Sequence, residues 1–419
     1  MATVESIFPK VYSSHSTSRV SIKLSEYSGE KITIKIQPME AYSIPHTPVF
    51  RIDEEDRYPY LAAQGENDLR DVDFSFTEEQ RYSVRVKADE EIIYHGYLYA
   101  LDEDLSGLTA YKGDTHLHSC RSDGEGTPFE VAVAYRAANY DFIAITDHHR
   151  YAPSLEAREQ LSPLTDLFTV FPGEEVHNKD MGYFHIVNFN GSSSVNDIIE
   201  TDDEYVEGEI ERILKSASLP ENVDKRSMAY RIFVSEHIRK CGGVSIFAHP
   251  YWDVFGEYHC QTSEAVAHLR RGDFDALELL AGCDRTGNGN NIQVALWADL
   301  RADGVRIPIV GASDSHSTTK SNSLFNKQFS IVFARSAEEI PDAIKAERSV
   351  AVLRRSDSDF EVFGSFRLVK YARFLLDEYL PLRLPLAVRH AEALAKRENK
   401  DIQTIEEELR SLDRLFFNK

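Results

Sequence analysis

The stretch Gly113-Asp114-Thr115-His116-Leu117-His118-Ser119-Cys120-Arg121-Ser122-Asp123-Gly124 decides how this chain is to be read. In an extended strand alternate side chains share a face, so His116 and His118 aim two imidazoles at one point. The turn that follows, which Gly124 helps to close, brings Asp123 back towards them. Two neutral imidazoles and a carboxylate suit a borderline divalent metal such as zinc, manganese or iron. A His-x-His pair alone is a weak signal, because many occur where no metal binds. Its weight comes from what lies around it.

Downstream, the rhythm is strand, helix, strand. Thr127-Pro128-Phe129-Glu130 predicts a helix start, with Thr127 as cap, Pro128 in the first turn and Glu130 closing a capping box. Phe142-Ile143-Ala144-Ile145 reads as a buried strand that empties into Thr146-Asp147-His148-His149. Phe168-Thr169-Val170-Phe171 leads to Gly173-Glu174-Glu175-Val176, and Phe184-His185-Ile186-Val187-Asn188-Phe189 makes another strand. A long helical region stops at Cys241-Gly242-Gly243. Val244-Ser245-Ile246-Phe247-Ala248 then delivers His249-Pro250. Ala276-Leu277-Glu278-Leu279-Leu280 follows, and Ile307-Pro308-Ile309-Val310-Gly311 delivers Asp314-Ser315-His316. About seven apolar strands alternating with helices predict an α/β fold with a parallel sheet or barrel. In such folds chemistry gathers at the carboxyl ends of the strands. Nearly every strand here ends in His, Asp or Glu, a position a packing histidine has no reason to choose repeatedly.

Upstream, residues 1–108 read as a small β-sandwich-like domain. Val20, Ile22 and Leu24 alternate with polar neighbours, as do Ile32, Ile34 and Ile36, Val72, Phe74 and Phe76, and Tyr82, Val84 and Val86. No chemical motif stands in it. Residues 109–355 form the strand–helix region, and residues 356–419, with helix-spaced leucines and mixed charge, predict an α-helical appendage.

The 419 residues suffice for a large core and about two domains. Apolar residues make up 42% and charged residues 28%, which predicts a globular, soluble chain. A formal charge of −22 argues against nucleic acid or an anionic membrane as main partner. It leaves room for a small anionic substrate, because a metal can dominate its own neighbourhood. No apolar run reaches the length of a membrane span, and Met1-Ala2-Thr3-Val4-Glu5-Ser6 lacks the features of a signal peptide. Cys120, Cys241, Cys260 and Cys283 are widely spaced, so reduced thiols and a cytoplasmic location are expected.

Taken in order, these clusters resemble the PHP (polymerase and histidinol phosphatase) superfamily of metallohydrolases over roughly residues 112–355. The motifs are His116-Leu117-His118 with Asp123-Gly124, Thr146-Asp147-His148, Gly173-Glu174-Glu175-Val176, His185-Ile186-Val187, Ala248-His249-Pro250 and Ser313-Asp314-Ser315-His316. The resemblance implies a distorted seven-stranded β/α barrel. Between Asp275 and His316 the chain is similar to the CehA/McbA-like subgroup, through Asn290, Leu296-Trp297-Ala298-Asp299-Leu300 and Gly304. That subgroup includes carbamate-ester hydrolases, whereas the wider family is mostly phosphoesterases.

The resemblance also implies a ligand set for two or three divalent ions. His116, His118 and Asp314 would hold the first, and Glu175 would bridge it to a second completed by His185 and His249. Asp123, His148 and His316 would hold the third. Glu174 stands beside Glu175, and a one-residue bulge would exchange the two. The implied activity is hydrolysis by a hydroxide bridging two metals, with Glu175, Asp314 and His249 at the reacting centre. A small phosphorylated molecule is the favoured substrate. A carbamate or carboxyl ester is the alternative, and a non-catalytic, metal-stabilised interaction protein the second. Arg121, Arg150, Arg285 and Lys320 flank the motifs as anion clamps, and His149 and His177 as proton donors to a leaving group. Ser119 and Ser315 are expected to support the ligands by hydrogen bonds, and Cys120 to be a bystander. His15, His46, His95, His237, His259, His268 and His390 receive no function from the sequence, and Trp297 reads as core.

Overall fold

A computed structural model describes residues 2–40, 58–177, 185–282 and 288–417. Its contacts group the chain into two compact units. The first takes residues 1–108 with 370–383 and 406–419, and the second residues 109–369 with 384–405. The helical residues at the end of the chain are therefore shared between the two units.

In the first unit a three-stranded antiparallel sheet pairs β1 (Thr3–Phe8), β3 (Ser16–Ser25) and β6 (Leu69–Phe76) in the order β1-β3-β6. The five-stranded sheet contains β2 (Val11–Ser13), β4 (Ile32–Pro38), β5 (Leu61–Ala62), β7 (Gln80–Ala88) and β8 (Glu91–Leu101), in the order β2-β8-β7-β4-β5. Period-two alternation makes both sheets: Val20, Ile22, Leu24, Ile32, Ile34, Ile36, Tyr82, Val84 and Val86 all lie inside one shared core. The unit is not purely β. Helix Glu103–Ser106 follows β8, and Tyr371 and Phe374 of helix Phe366–Glu378 stand 5.1 and 5.3 Å from the Tyr99 ring.

The second unit is mixed α/β. A six-stranded sheet is built from β9 (Thr109–Asp114), β10 (Phe142–Ala144), β11 (Thr169–Phe171), β19 (Gln328–Ala334), β20 (Ser349–Arg354) and β21 (Phe360–Phe363). A five-stranded sheet is built from β12 (Gly173–Val176), β13 (Ile186–Phe189), β14 (Val244–Phe247), β17 (Ala276–Ala281) and β18 (Ile309–Ala312). A short hairpin, β15 (Asp253–Val254) and β16 (Glu257–Tyr258), stands apart. The sheets meet at two flanks. At one, the Gly311 N–H donates to Ser330 Oγ at 3.0 Å and Ser349 Oγ donates to the Ile309 carbonyl at 2.7 Å. At the other, the Glu175 N–H reaches the Thr146 carbonyl at 3.2 Å. Phe142, Ala144, Val187, Phe189, Ile246, Ala276, Val310 and Val332 fill the space between them.

Pairing is less uniform than a parallel α/β rhythm predicts, and strands outnumber the expected seven. β9–β10–β11 and β14–β17–β18 are parallel, but β12–β13–β14 and β9–β19–β20–β21 are antiparallel. A parallel return needs a crossover of a dozen residues or more, and the turn at Arg355–Asp359 is far too short for one. Among the described residues no helix is long and apolar enough to cross a membrane.

Candidate metal centre

Most of the candidate donors stand just beyond or just before a strand, Glu175 lies within β12, and Asp123 lies in the turn after His118. Beyond β9, residues 116–118 lie alongside 314–316 beyond β18. The Asp314 N–H donates to the His116 carbonyl at 2.8 Å and the His118 N–H to the Ser315 carbonyl at 2.9 Å. That clasp brings His116, His118, Asp314 and His316 together from distant parts of the chain. β10 supplies His148, β12 Glu175, β13 His185 and β14 His249. Asp314 and His249 sit at φ 47° and 26°, left-handed values that a non-glycine residue avoids unless its surroundings impose them. Such strain collects where side-chain direction matters more than backbone ease.

Glu175 is the hub. Its Oε1 lies 2.7 Å from His185 Nδ1 and 3.3 Å from both His116 Nε2 and His249 Nε2. Its Oε2 lies 2.6 Å from His148 Nδ1 and 3.6 Å from His118 Nε2 and His177 Nε2. Asp314 Oδ1 stands 2.9 Å from His118 Nε2 and 3.4 Å from His116 Nε2. Asp123 spans His148 Nε2 at 3.5 Å and His316 Nε2 at 3.3 Å. His185 Nδ1 is also 3.2 Å from His249 Nε2. Donor atoms close enough to share an ion fall into overlapping groups: His118, Asp123, His148 and His316; His116, His118 and Asp314; His116, Glu175 and His249; His148, Glu175 and His177.

The alternation of β12 separates the two neighbouring glutamates. Glu174 faces away from the cluster, and its oxygens accept from Asn188 Nδ2 at 3.0 Å, the Val195 N–H at 2.6 Å, Ser194 Oγ at 2.7 Å and Asn196 Nδ2 at 2.9 Å. A carboxylate so fully engaged has no lone pair to offer the histidines.

Charge is tightly balanced here. Burial pushes the Glu175 carboxyl up, but His185, His116 and His148 outweigh it and hold the group well below the usual carboxylate range. The same opposition, with His116 and His118, holds Asp314 low. Burial lowers His148, yet Glu175 and Asp123 overcome this and raise it to about 10. Burial dominates at His185 and takes it down to about 3. Among the described residues no lysine or arginine pairs with Glu175, Asp314 or Asp123. His116 Nε2, His185 Nε2 and Glu175 Oε2 are buried with no hydrogen-bond partner. Buried carboxylates faced only by imidazoles, beside imidazole nitrogens with no partner, are costly at this depth without a further cation, and nitrogen–oxygen donor sets are those divalent metals take. The residues fit a metal.

Two supporting carboxylates went unread in the sequence. Glu278, wholly buried, lies 2.7 Å from His116 Nδ1 and accepts the His249 N–H at 3.0 Å. Its signal was a lone acid inside the apolar run of β17. Asp147 accepts from the Ser119 N–H at 2.8 Å, Ser119 Oγ at 2.5 Å and Ser122 Oγ at 2.5 Å, which fixes the turn before Asp123. Ser315 Oγ donates to the Ser317 carbonyl at 2.9 Å.

The flanking cations separate. The Arg121 guanidinium is occupied by Glu156, with Nε and Nη2 at 2.9 and 2.8 Å, and Lys320 pairs with Glu125. Arg150 is exposed, and among the described residues no ion pair or hydrogen bond holds its guanidinium. Arg285 lies outside the described residues. His177 Nε2 is 2.6 Å from His148 Nδ1, inside the cluster, whereas His149 is exposed and 3.7 Å from Glu200. Trp297 packs against the core and donates to the Ile307 carbonyl at 3.2 Å.

No protein-family model matches the sequence, and no curated protein is similar to it. Several solved structures are similar in part, three of them as follows. One is a two-domain protein from Bacteroides vulgatus containing a predicted PHP-like metal-dependent phosphoesterase, at 20% identity and a TM-score of 0.41. The match covers 60% of this chain and 66% of that one, just under two thirds of its length. The second is a candidate metal-dependent phosphoesterase from Bifidobacterium adolescentis, at 18% identity over 50% of this chain and 89% of that one, with a TM-score of 0.37. The third is an amidohydrolase from Chromobacterium violaceum with bound sulfate and no metal, at 19% identity over 49% of this chain and 87% of that one, with a TM-score of 0.34.

Proposed function

We propose that the chain is a metal-dependent hydrolase of the PHP type, acting on a small phosphorylated molecule. The observation that carries this reading is the convergence on one buried carboxylate, Glu175, of imidazoles from four other segments, several with bare ring nitrogens. His116, His118 and Asp314 would hold one ion, Glu175 would bridge it to a second on His185 and His249, and Asp123, His148 and His316 would hold a third. Zinc, manganese and iron all accept such sets, and the number of ions is two or three. Divalent ions there supply Lewis acidity and lower the pKa of water from about 15.7 towards about 7.

The chain's own residues do the rest. With a metal bound, the Glu278 carboxylate, 2.7 Å from His116 Nδ1, would receive that N–H and leave the Nε2 lone pair, on the side of Glu175 and Asp314, for the ion. Ser119 Oγ is spent on Asp147, so it is no nucleophile. Arg150 is the flanking cation best able to pair with a substrate anion, because Arg121 and Lys320 already have carboxylates. His177, with its ring 4.1 Å from that of His185, is the nearest candidate to pass a proton to a leaving oxygen.

The test is turnover of an aryl phosphate beside an aryl carbamate and an aryl ester, on protein of measured metal content. Phosphate turnover is expected, with Arg150→Ala lowering kcat/KM for that substrate alone. Charge-assisted hydrogen bonds contribute about 1.5–3 kcal/mol, so the loss should be about tenfold to a hundredfold. Turnover of the carbamate alone would transfer the chain to the CehA/McbA-like alternative. Full metal occupancy without turnover of any ester would favour the interaction protein.

A further inference from the structure

We infer that His259, which the sequence left without a role, is a further donor to the metal held by Glu175, His185 and His249. The inference rests on the metal-binding reading above and adds a ligand to it. His259 returns to the site through the β15–β16 hairpin. The Trp252 N–H donates to the His249 carbonyl at 3.0 Å, the His259 N–H to the Trp252 carbonyl at 2.8 Å and the Cys260 N–H to the Pro250 carbonyl at 2.9 Å. These bonds tie the far end of the hairpin back against His249 itself.

Three observations point the ring to a ligand. His259 is 9% exposed, and neither ring nitrogen has a hydrogen-bond partner. An imidazole always carries at least one N–H, so leaving both nitrogens unmatched at this depth is unfavourable unless something fills the gap. Its ring centroid is 4.8 Å from that of His185 and 5.0 Å from that of His249. Those separations match the spacing within the proposed ligand set, where His185 and His249 are 4.9 Å apart and His116 and His118 5.2 Å apart.

Buried histidines that serve packing look different in this chain. His268 keeps Nδ1 on Asp273 at 2.8 Å, and His390 Nδ1 accepts from Arg136 Nε at 2.9 Å. His259 has no such anchor, and what its ring adjoins is the rings of His185, His249 and Trp252. With it, the second ion takes one carboxylate and three imidazoles from the protein. That is a full tetrahedral complement, so water or substrate joins this ion only as a fifth ligand. The more open positions then belong to the ions on His116, His118 and Asp314 and on Asp123, His148 and His316.

The test is titration of metal-free full-length protein with Co2+, followed by its visible absorption and by elemental analysis, with melting of the metal-free forms alongside. Wild type, His259→Ala, His259→Gln and His249→Ala are compared. Both His259 variants are expected to weaken one metal equivalent at least about tenfold and to change the absorption band, with metal-free melting unaltered. Gln fills most of the space, so a defect shared by Ala and Gln is not a cavity effect. Loss of an equivalent in His249→Ala but in neither His259 variant would overturn the inference and leave the metal reading intact. A lowered metal-free melting temperature with unchanged Co2+ affinity would also overturn it, making His259 a packing residue. Wild-type protein that takes up no Co2+ would instead sink the reading on which the inference rests.

Discussion

Glu278 touches two candidate ligands through one carboxylate, holding His116 Nδ1 at 2.7 Å and the His249 backbone N–H at 3.0 Å. Carboxylates in this position orient a ligating imidazole and raise its basicity, and losing one typically costs about tenfold to a hundredfold in metal affinity. Glu278→Gln keeps the shape and removes the charge, so a competing chelator should strip metal from the variant that much more easily while the fold persists. Unchanged affinity would reduce Glu278 to a packing group. Arg121 carries the opposite lesson. In sequence it stands between His118 and Asp123 and invites the role of anion clamp, yet its fork is filled by Glu156 from helix Ala152–Leu161. That partner was invisible because nothing local links residues 121 and 156. Arg121 is exposed, so water screens the pair, and its fork is turned to Glu156 rather than to the cluster, so Arg121→Ala should change kcat/KM for an aryl phosphate by no more than about fivefold. A larger loss, matching that of Arg150→Ala, would restore the clamp. The residues proposed as ligands do converge on Glu175 whereas Arg121 does not, because strand pairing fixes where residues on or next to a strand stand, while nothing of the kind fixes a surface arginine.

At the level of elements, the helix Pro128–Ala137 shows why the end of a segment is easier to read than its partners. Its capping box is present as spelled: the Glu130 N–H donates to Thr127 Oγ1 at 3.3 Å and the Thr127 N–H to Glu130 Oε2 at 2.8 Å. The helix lies behind the site, and Tyr135 donates to Asp114 Oδ2 at 3.2 Å and meets Ser313 Oγ at 2.9 Å. Thr127→Ala should lower stability by about 1 kcal/mol and leave metal content unchanged, read as a denaturation midpoint beside elemental analysis. A loss of metal with the cap would mean that this helix sets the ligands rather than backing them. Strand direction was less legible. The apolar runs of β12, β13, β19 and β20 announce burial, but whether neighbours run parallel depends on connection length and on which edge is vacant. The hairpin from Trp252 to His259 escaped because its strands are two residues long and have no alternation to detect.

Across the whole molecule, helix-spaced leucines after residue 365 declare helices that need partners without saying which. Tyr371 and Phe374 group with Tyr99, whereas His390 groups with Arg136, so the closing helices complete two different cores. All nine proposed ligands lie in the second unit. Among the described residues the first unit offers only Glu79, Asp102 and Asp104, an acidic set with no imidazole and one exposed member. Binding to the native state alone stabilises by RT ln(1 + [L]/Kd), about 2.7 kcal/mol at a hundredfold excess over Kd. Removing the ions should therefore lower the melting temperature and raise amide deuterium uptake unevenly. With EDTA, uptake should rise where β9, β10, β12, β13, β14 and β18 deliver their donors, because carboxylates that shared a cation are left facing one another. Uptake in β3, β4 and β7 should stay as it was, since no donor of the cluster hangs from them. An equal rise in those strands would show that the first unit depends on the metal and does not hold together by itself. No response anywhere to chelation, in protein shown to carry metal beforehand, would mean that the Glu175 cluster is stable without a cation.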